Sequence, residues 1–179
     1  MNSEDFLRPE AVQGYLQLSP GMRVADFGSG SGEFCILIAK LIGEEGIVTA
    51  VDVRTEPLEA LTTRAKTANL HNIELVRANL EILGSSKLKD GSQDRVLLAN
   101  ILFQSNKKGD IVTESARVLK SGGSLIVIDW MKSAKGFGPP DEYRIKPEEL
   151  QSVITEKGLT FESNFNAGAY HFGMVFKKP

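Results

Sequence analysis

The chain has 179 residues, 41% of them apolar and 25% charged, and its 21 Lys and Arg against 23 Asp and Glu leave a formal charge of −2. That balance suits one globular domain: it is too apolar for a disordered chain and too evenly charged for a mainly electrostatic grip on a polyanion. One cysteine excludes an intrachain disulfide or a cysteine zinc cage, no run of about 18 apolar residues offers a membrane span, and the polar start Met1-Asn2-Ser3-Glu4-Asp5 carries no signal core, so a cytoplasmic location is expected.

Residues 22–27 read as a short buried strand. Residues 33–42 place Phe34, Leu37, Ile38 and Leu41 at helical spacing. Gly43 and Gly46 bracket the exit to a second strand, 47–53, rich in β-branched residues. Residues 55–68 read as a helix, with Thr55 as its N-cap and Leu58 and Leu61 on its apolar face. A third strand follows at 72–78, then a polar loop at 85–91. Residues 94–101 are nearly all apolar, as expected of a fourth strand covered on both faces. The next helix, 109–119, presents Ile111, Val112, Ala116 and Leu119, and Ser121-Gly122-Gly123 turns it into a fifth strand at 124–130. Gly136, Gly138, Pro139 and Pro140 make 131–143 a loop. Pro147 opens the last helix, Glu148 and Glu149 suit its dipole, and Gly158 closes it. Strands at 160–165 and 170–176 flank a hairpin-length gap.

Strands alternating with helices predict a parallel sheet with right-handed crossovers, and the last two strands, lacking a helix between them, should pair antiparallel at one edge. In such a sheet the ligand lies at the carboxyl ends of the strands, near the switch in strand order.

The first strand runs Val24-Ala25-Asp26-Phe27 into Gly28-Ser29-Gly30-Ser31-Gly32. Glycines at every second position let a backbone approach a ligand closely. A nicotinamide-dinucleotide fingerprint would need its third glycine one residue later, where Glu33 stands, and that charge would repel a pyrophosphate. Asp52 ends the second strand, 20 residues beyond Gly32, at the distance expected of a carboxylate that accepts both hydroxyls of a ribose. An unphosphorylated ribose, with a neutral or cationic group at the glycine loop, fits both features.

The segment Val-Ala-Asp-Phe-Gly-Ser-Gly-Ser-Gly resembles the first motif of class I S-adenosylmethionine-dependent methyltransferases. The resemblance continues through Asp52 and Arg117-Val118-Leu119-Lys120-Ser121-Gly122-Gly123 and covers about residues 6–178. Gly138-Pro139-Pro140, Arg144-Ile145, Tyr170-His171-Phe172 and Val175-Phe176-Lys177 are similar to segments of small members related to the ubiquinone and menaquinone C-methylating group. The resemblance implies a single α/β domain over 1–179 of the Rossmann-like, doubly wound type. Its seven-stranded sheet would have the order 3-2-1-4-5-7-6, the last strand antiparallel, with helices on both faces and residues 1–20 as an N-terminal helical lid. It implies S-adenosyl-L-methionine as cofactor and methyl transfer to an acceptor.

By the same resemblance Gly28, Ser29, Gly30 and Gly32 would wrap the methionine part, with Asp26 beneath holding water or the amino group. Asp52 and Val53 would meet the ribose, and Asn79 and Leu80 the adenine edge, Asn79 standing where many members have Asp. Asn100 would face the methionine and the acceptor. Asn100-Ile101-Leu102-Phe103 lacks both prolines of the planar-nitrogen motif, so it also reads as a strand end, with Phe103 toward the substrate.

His171 and Tyr170 are the acid/base candidates, on opposite faces of their strand, with a half-exposed edge position as the structural alternative for His171. Asp129 is a catalytic candidate or a loop cap. Trp130 is a pocket wall or core, and Tyr143 and Arg144 are substrate candidates, Arg144 alternatively tying its own loop. Phe6 and Arg8 could cover the cofactor. Cys35 reads as a small buried residue, and Lys107-Lys108 and Lys177-Lys178 as solvated surface. A single cysteine makes arsenite chemistry unexpected. No metal is called for. A small-molecule acceptor is expected, without nucleic acid, in a monomer or homodimer. RNA or protein methylation is the alternative enzyme reading, and a non-catalytic adenosyl-ligand sensor the alternative of another class.

Overall fold

The computed structural model of the chain describes residues 7–132 and 138–179. Its elements are α1 (Pro9–Val12), a 3-10 turn (Gln13–Leu16), β1 (Arg23–Phe27), α2 (Glu33–Ile42), β2 (Ile47–Asp52), α3 (Thr55–Thr67), β3 (Ile73–Arg77), β4 (Gln93–Ala99), α4 (Lys108–Val118), β5 (Leu119–Trp130), α5 (Pro147–Thr155), β6 (Thr160–Asn166) and β7 (His171–Lys177). One seven-stranded sheet has the order β3-β2-β1-β4-β5-β7-β6. β1 pairs parallel with β2 and β4, β2 with β3 and β4 with β5, whereas β7 runs antiparallel between β5 and β6.

Alternation along the strands builds two cores. On one face Ile111 and Val112 of α4 and Leu150 and Ile154 of α5 pack with Phe27, Leu98, Val127 and Phe176. On the other, Ile38 and Ile42 of α2 and Leu61 of α3 pack with Val24, Val48, Leu97 and Ile126. Val12 and Leu16 of the N-terminal segment join this second core, and Tyr15 stacks on Phe165 of β6 at 4.2 Å and 7°. Phe6 lies outside the described residues and Arg8 is exposed.

Four expectations need correction. Thr55 is the first residue of α3 rather than its cap; Arg54 is the N-cap and gives no side-chain capping bond. Ser121-Gly122-Gly123 do not end one element and start another: β5 runs through them, and the three β4 residues from Gln93 to Arg95 lie against the six β5 residues from Leu119 to Ser124. At that bulge Gly122 takes φ +74°, its N–H donates to Lys178 O at 2.8 Å, and Gly123 O accepts Lys178 N–H at 2.9 Å. Lys178 is not a solvated lysine: its Nζ donates to Ala116 O and Leu119 O at 2.7 Å, a cationic cap on the α4 C-terminus. β7 is not an edge strand, because β6 lies outside it, so His171 is 2% exposed.

Behind α4, a buried ion pair holds the polar 78–91 loop. Glu114, fully buried, accepts from Gly84 N–H at 2.8 Å, from the Ser86 hydroxyl, and from Arg117 Nε and Nη2 at 2.9 and 2.7 Å. Burial alone would raise the Glu114 carboxyl, but Arg117, Ser86 and the Gly84 N–H overcome it and hold the carboxyl down at about 2.

Candidate active site

The carboxyl ends of β1, β2, β3 and β4 enclose a cleft of about 180 Å³, lined by Gly28, Asp52, Val53, Arg54, Asn79, Leu80, Asn100 and Ile101, with Glu81, Gln104 and Ser105 at one end. It stands where a doubly wound sheet switches its strand order, β1 lying between β2 and β4.

The glycine loop is tied down from below. Gly28 N–H and Ser29 N–H both donate to Val51 O, at 2.7 and 3.0 Å. Gly28 has φ +79°, and a Cβ there would lie 2.5 Å from Ile101 Cδ1. Gly32 also has φ +79° and caps α2, where a Cβ would lie 2.2 Å from Leu61 Cδ1. Both conditions, a left-handed backbone and no room, demand glycine. The crowding is against Ile101 and Leu61 of the protein itself, whereas a Cβ on Gly30 would meet nothing within 4 Å.

Asp52 is 6% exposed. Its Oδ2 accepts Gly30 N–H at 3.0 Å, and its Oδ1 accepts Arg54 N–H at 2.9 Å and Arg54 Nε at 3.4 Å. The same carboxylate thus positions the loop and faces the cleft. The Arg54 side chain is 65% exposed, so its long bond can yield to a ligand hydroxyl at small cost.

On the opposite wall, Asn100 follows β4 with φ +55°, and its N–H donates to Ile128 O at 2.9 Å. A left-handed asparagine persists only where its surroundings fix it. Its Oδ1 is buried and finds no partner among the described residues, and neither does Ser29 Oγ. Buried oxygens without donors are uncommon in folded proteins and call for an explanation, a bound water or ligand among them. At the far end the Asn79 side-chain carbonyl accepts Glu81 N–H at 3.0 Å. Leu80 is buried, while Val53 is exposed.

Beneath the loop, Asp26 is 2% exposed and accepts the Cys35 thiol at 3.0 Å on Oδ2. Burial pushes Asp26 up to about 6, against the pull of the Cys35 bond, and burial likewise drives the Cys35 thiol well above its ordinary value. Asp26 does not line the cleft. Cys35 is buried as expected, and its thiol finds a partner in Asp26 at the end of β1.

The residues proposed for acceptor and proton chemistry divide differently. Asp129 is 1% exposed and holds backbone: Oδ2 accepts Phe103 N–H at 3.1 Å and Oδ1 accepts Trp130 N–H at 2.8 Å. Burial pushes it up to about 6. Arg144 is 6% exposed and binds its own loop, with Nε on Pro139 O and Nη1 on Met131 O, both at 2.8 Å. Its guanidinium also lies 5.6 Å from the centre of the Trp130 ring. Trp130 in turn packs on His171 at 4.1 Å between rings. Both His171 ring nitrogens are buried without a partner among the described residues, and burial together with Arg144 pulls the imidazole down to about 4. His171 is therefore neutral at neutral pH and a weak base. Tyr170 gives its backbone carbonyl to Met131 N–H, and Tyr143 is exposed.

The cleft thus collects Gly28, Asp52, Val53, Asn79, Leu80 and Asn100, and leaves Asp129, Trp130, Arg144 and His171 as a separate packed group. Sequence reading passed over Arg54, Glu81, Gln104 and Ser105. Arg54 and Glu81 each stand two residues beyond a residue it did place, Asp52 and Asn79, and that spacing was the one available signal.

A family model described as a methyltransferase domain matches residues 18–160. Arsenite methyltransferase of Aquipseudomonas alcaligenes is 34% identical over 116 residues, 63% of this chain and 34% of that protein. Demethylmenaquinone methyltransferase of Listeria welshimeri is 33% identical over 114 residues, 64% of this chain and 47% of that protein. The chain therefore spans about a third to a half of the length of these curated relatives. A solved S-adenosylmethionine-dependent methyltransferase from Aquifex aeolicus superposes with a TM-score of 0.87 and 27% identity, covering 96% of this chain and 90% of that one.

Proposed function

This chain belongs to the S-adenosylmethionine-dependent methyltransferase family, and from that premise we propose that it catalyses transfer of the methyl group of S-adenosyl-L-methionine to a small-molecule acceptor by in-line displacement. The observation that carries the reading is the cleft between Asp52 and Asn100: a carboxylate fixed by Gly30 N–H faces a wall whose Asn100 carbonyl oxygen is buried without a donor. When bound, the cofactor supplies a methyl group already activated on a sulfonium.

The chain's own residues do the rest. Asp52 would accept the ribose hydroxyls, displacing Arg54 Nε. Gly28 and Gly30 would carry the methionine part, to which Ser29 Oγ and Asn100 Oδ1 would offer acceptors, and Asn79 and Leu80 would meet the adenine. Asp129 holds the turn at Phe103 rather than moving a proton, and His171 stays neutral. The acceptor must then present a nucleophile that ionises readily, and the protein's contribution is alignment at about 3–3.5 Å from the methyl carbon.

The arsenite relative does not lend its substrate: Cys35, the one cysteine, is fully buried on Asp26. Calorimetry with S-adenosylhomocysteine tests the cofactor assignment, with micromolar binding expected and no heat refuting it. Release of S-adenosylhomocysteine from the methyl donor in a metabolite mixture tests catalysis. Binding without release would make the chain a sensor of the adenosyl ligand, the reading that the buried acid and base candidates favour as its rival.

A further inference from the structure

The two edges of the sheet are finished differently. At the outer edge of β6 the register breaks between Phe161 and Ser163, and Glu162, exposed at that break, accepts Gln17 Nε2 at 3.4 Å. A bulge and an exposed charge are ordinary means of keeping an edge strand from pairing with another chain. β3, at the opposite edge, keeps one register with β2 from Ile73 to Arg77 and contains no proline or lysine. Its Arg77 turns Nε back to Val53 O at 3.1 Å.

Val48 N–H donates to Asn72 O at 2.9 Å, and Ala78 N–H donates to Asp52 O at 3.1 Å. In a parallel ladder residues 72, 74, 76 and 78 therefore give their backbone groups to β2, and those of Ile73, Leu75 and Arg77 point outward. No strand lies on that side among the described residues. Leu75, and Ile82 and Leu83 on the loop that leaves β3, are 39%, 59% and 62% exposed. The outward residues are evenly spaced about Leu75, so the strand is complementary to itself. Run antiparallel about a two-fold axis at Leu75, Ile73 exchanges both backbone bonds with the partner's Arg77, and Leu75 does so with the partner's Leu75. The same register sets Leu75 against its own copy and Glu74 opposite the partner's Val76, so no charge faces a like charge.

We infer that β3 is a self-association surface, through which two copies of this chain pair edge to edge, antiparallel about Leu75, into one continuous sheet. The inference is independent of the methyl-transfer reading. Sedimentation equilibrium of the unaltered chain should show a dimer that dissociates on dilution. Leu75→Pro removes an N–H that points away from β2, a change an edge strand tolerates, and denies the dimer the bonds at its axis. The dissociation constant should rise roughly 10- to 100-fold, the range for losing two backbone bonds. Leu75→Lys sets like charges face to face across the axis, so its dimer should weaken at low salt and regain strength as salt screens them. Monomers of the unaltered chain at every concentration overturn the inference whether or not the variants fold, and would leave this edge to a strand of another protein. A Leu75→Pro protein that melts cooperatively and keeps the full dimer also overturns it, by moving the contact to another face.

Discussion

Glu114 and Asn100 both bury a side-chain oxygen near the ends of α4, and the surroundings treat them in opposite ways. Glu114 is saturated: a guanidinium, a hydroxyl and a backbone N–H converge on its two oxygens. Asn100 has a strained backbone and an oxygen that receives nothing from the described residues. Buried polarity of the first kind fixes a loop. At the cleft, the second kind leaves an acceptor open to a ligand. Burial without a partner is not enough by itself, since the His171 ring has none and packs on Trp130 away from the cleft.

Breaking the saturated region should have the largest effect. Arg117→Ala leaves the Glu114 carboxylate buried without its cation and should cost about 3–5 kcal/mol of stability in urea unfolding. The protein that remains folded should still bind S-adenosylhomocysteine. Asp52→Ala should do the reverse, weakening that ligand by about 1–3 kcal/mol in calorimetry while shifting the urea midpoint less than Arg117→Ala does. An unchanged affinity would remove the ribose role from Asp52. Asn100→Gly sharpens the contrast through its sign. Relieving the left-handed backbone should leave stability equal or up to about 1 kcal/mol higher, while ligand affinity falls several-fold.

The smallest effect near neutrality is in pH. The His171 imidazole is lowered from 6.5 to about 4, so the unfolded chain binds its proton first as pH falls. Its contribution is present above pH 6.5 and is lost between 6.5 and 4. The Glu114 carboxyl is lowered from 4.5 to about 2, so its contribution is lost in a separate window, from 4.5 to 2. Asp26 and Asp129, raised from 3.8 to about 6, act oppositely and add stability as pH falls through that upper window. His171→Phe should therefore shift the slope between pH 6.5 and 4 toward higher stability at the acid end and leave the lower window intact. An unchanged slope between 6.5 and 4 would deny His171 its neutral, buried state.

The frame was legible wherever local chemistry dictates it. β-branched runs gave the inner strands, the helix spanning Glu33–Ile42 followed from its apolar spacing, and the glycine loop with Asp52 located the cleft. What could not be read were matters of partner choice. Nothing along the sequence says that Lys178 reaches back to cap α4 or that Cys35 bends over Asp26, bonds between residues that only the folded chain brings together. For Arg144 the sequence left two readings, and its bonds to Pro139 O and Met131 O select the one in which it ties its own loop. Asp129 shows the limit most plainly: its position at the end of β5 was read correctly, but whether its oxygens face an acceptor or the N–H groups of Phe103 and Trp130 depends on the turn after β4.

The inward placement of β7 also bears on how the molecule assembles during synthesis. β6 leaves the ribosome before β7, yet its hydrogen-bonding neighbour in the sheet is β7, and β5 has an open flank until the same strand slots in. A nascent chain halted after residue 166 would carry an unmatched ribbon beside a bare hydrophobic margin, the condition under which partly made proteins stick to one another. The last strand in sequence thus acts as a keystone, and shortening the chain by even a few of residues 171–177 should be felt first as aggregation in the cell.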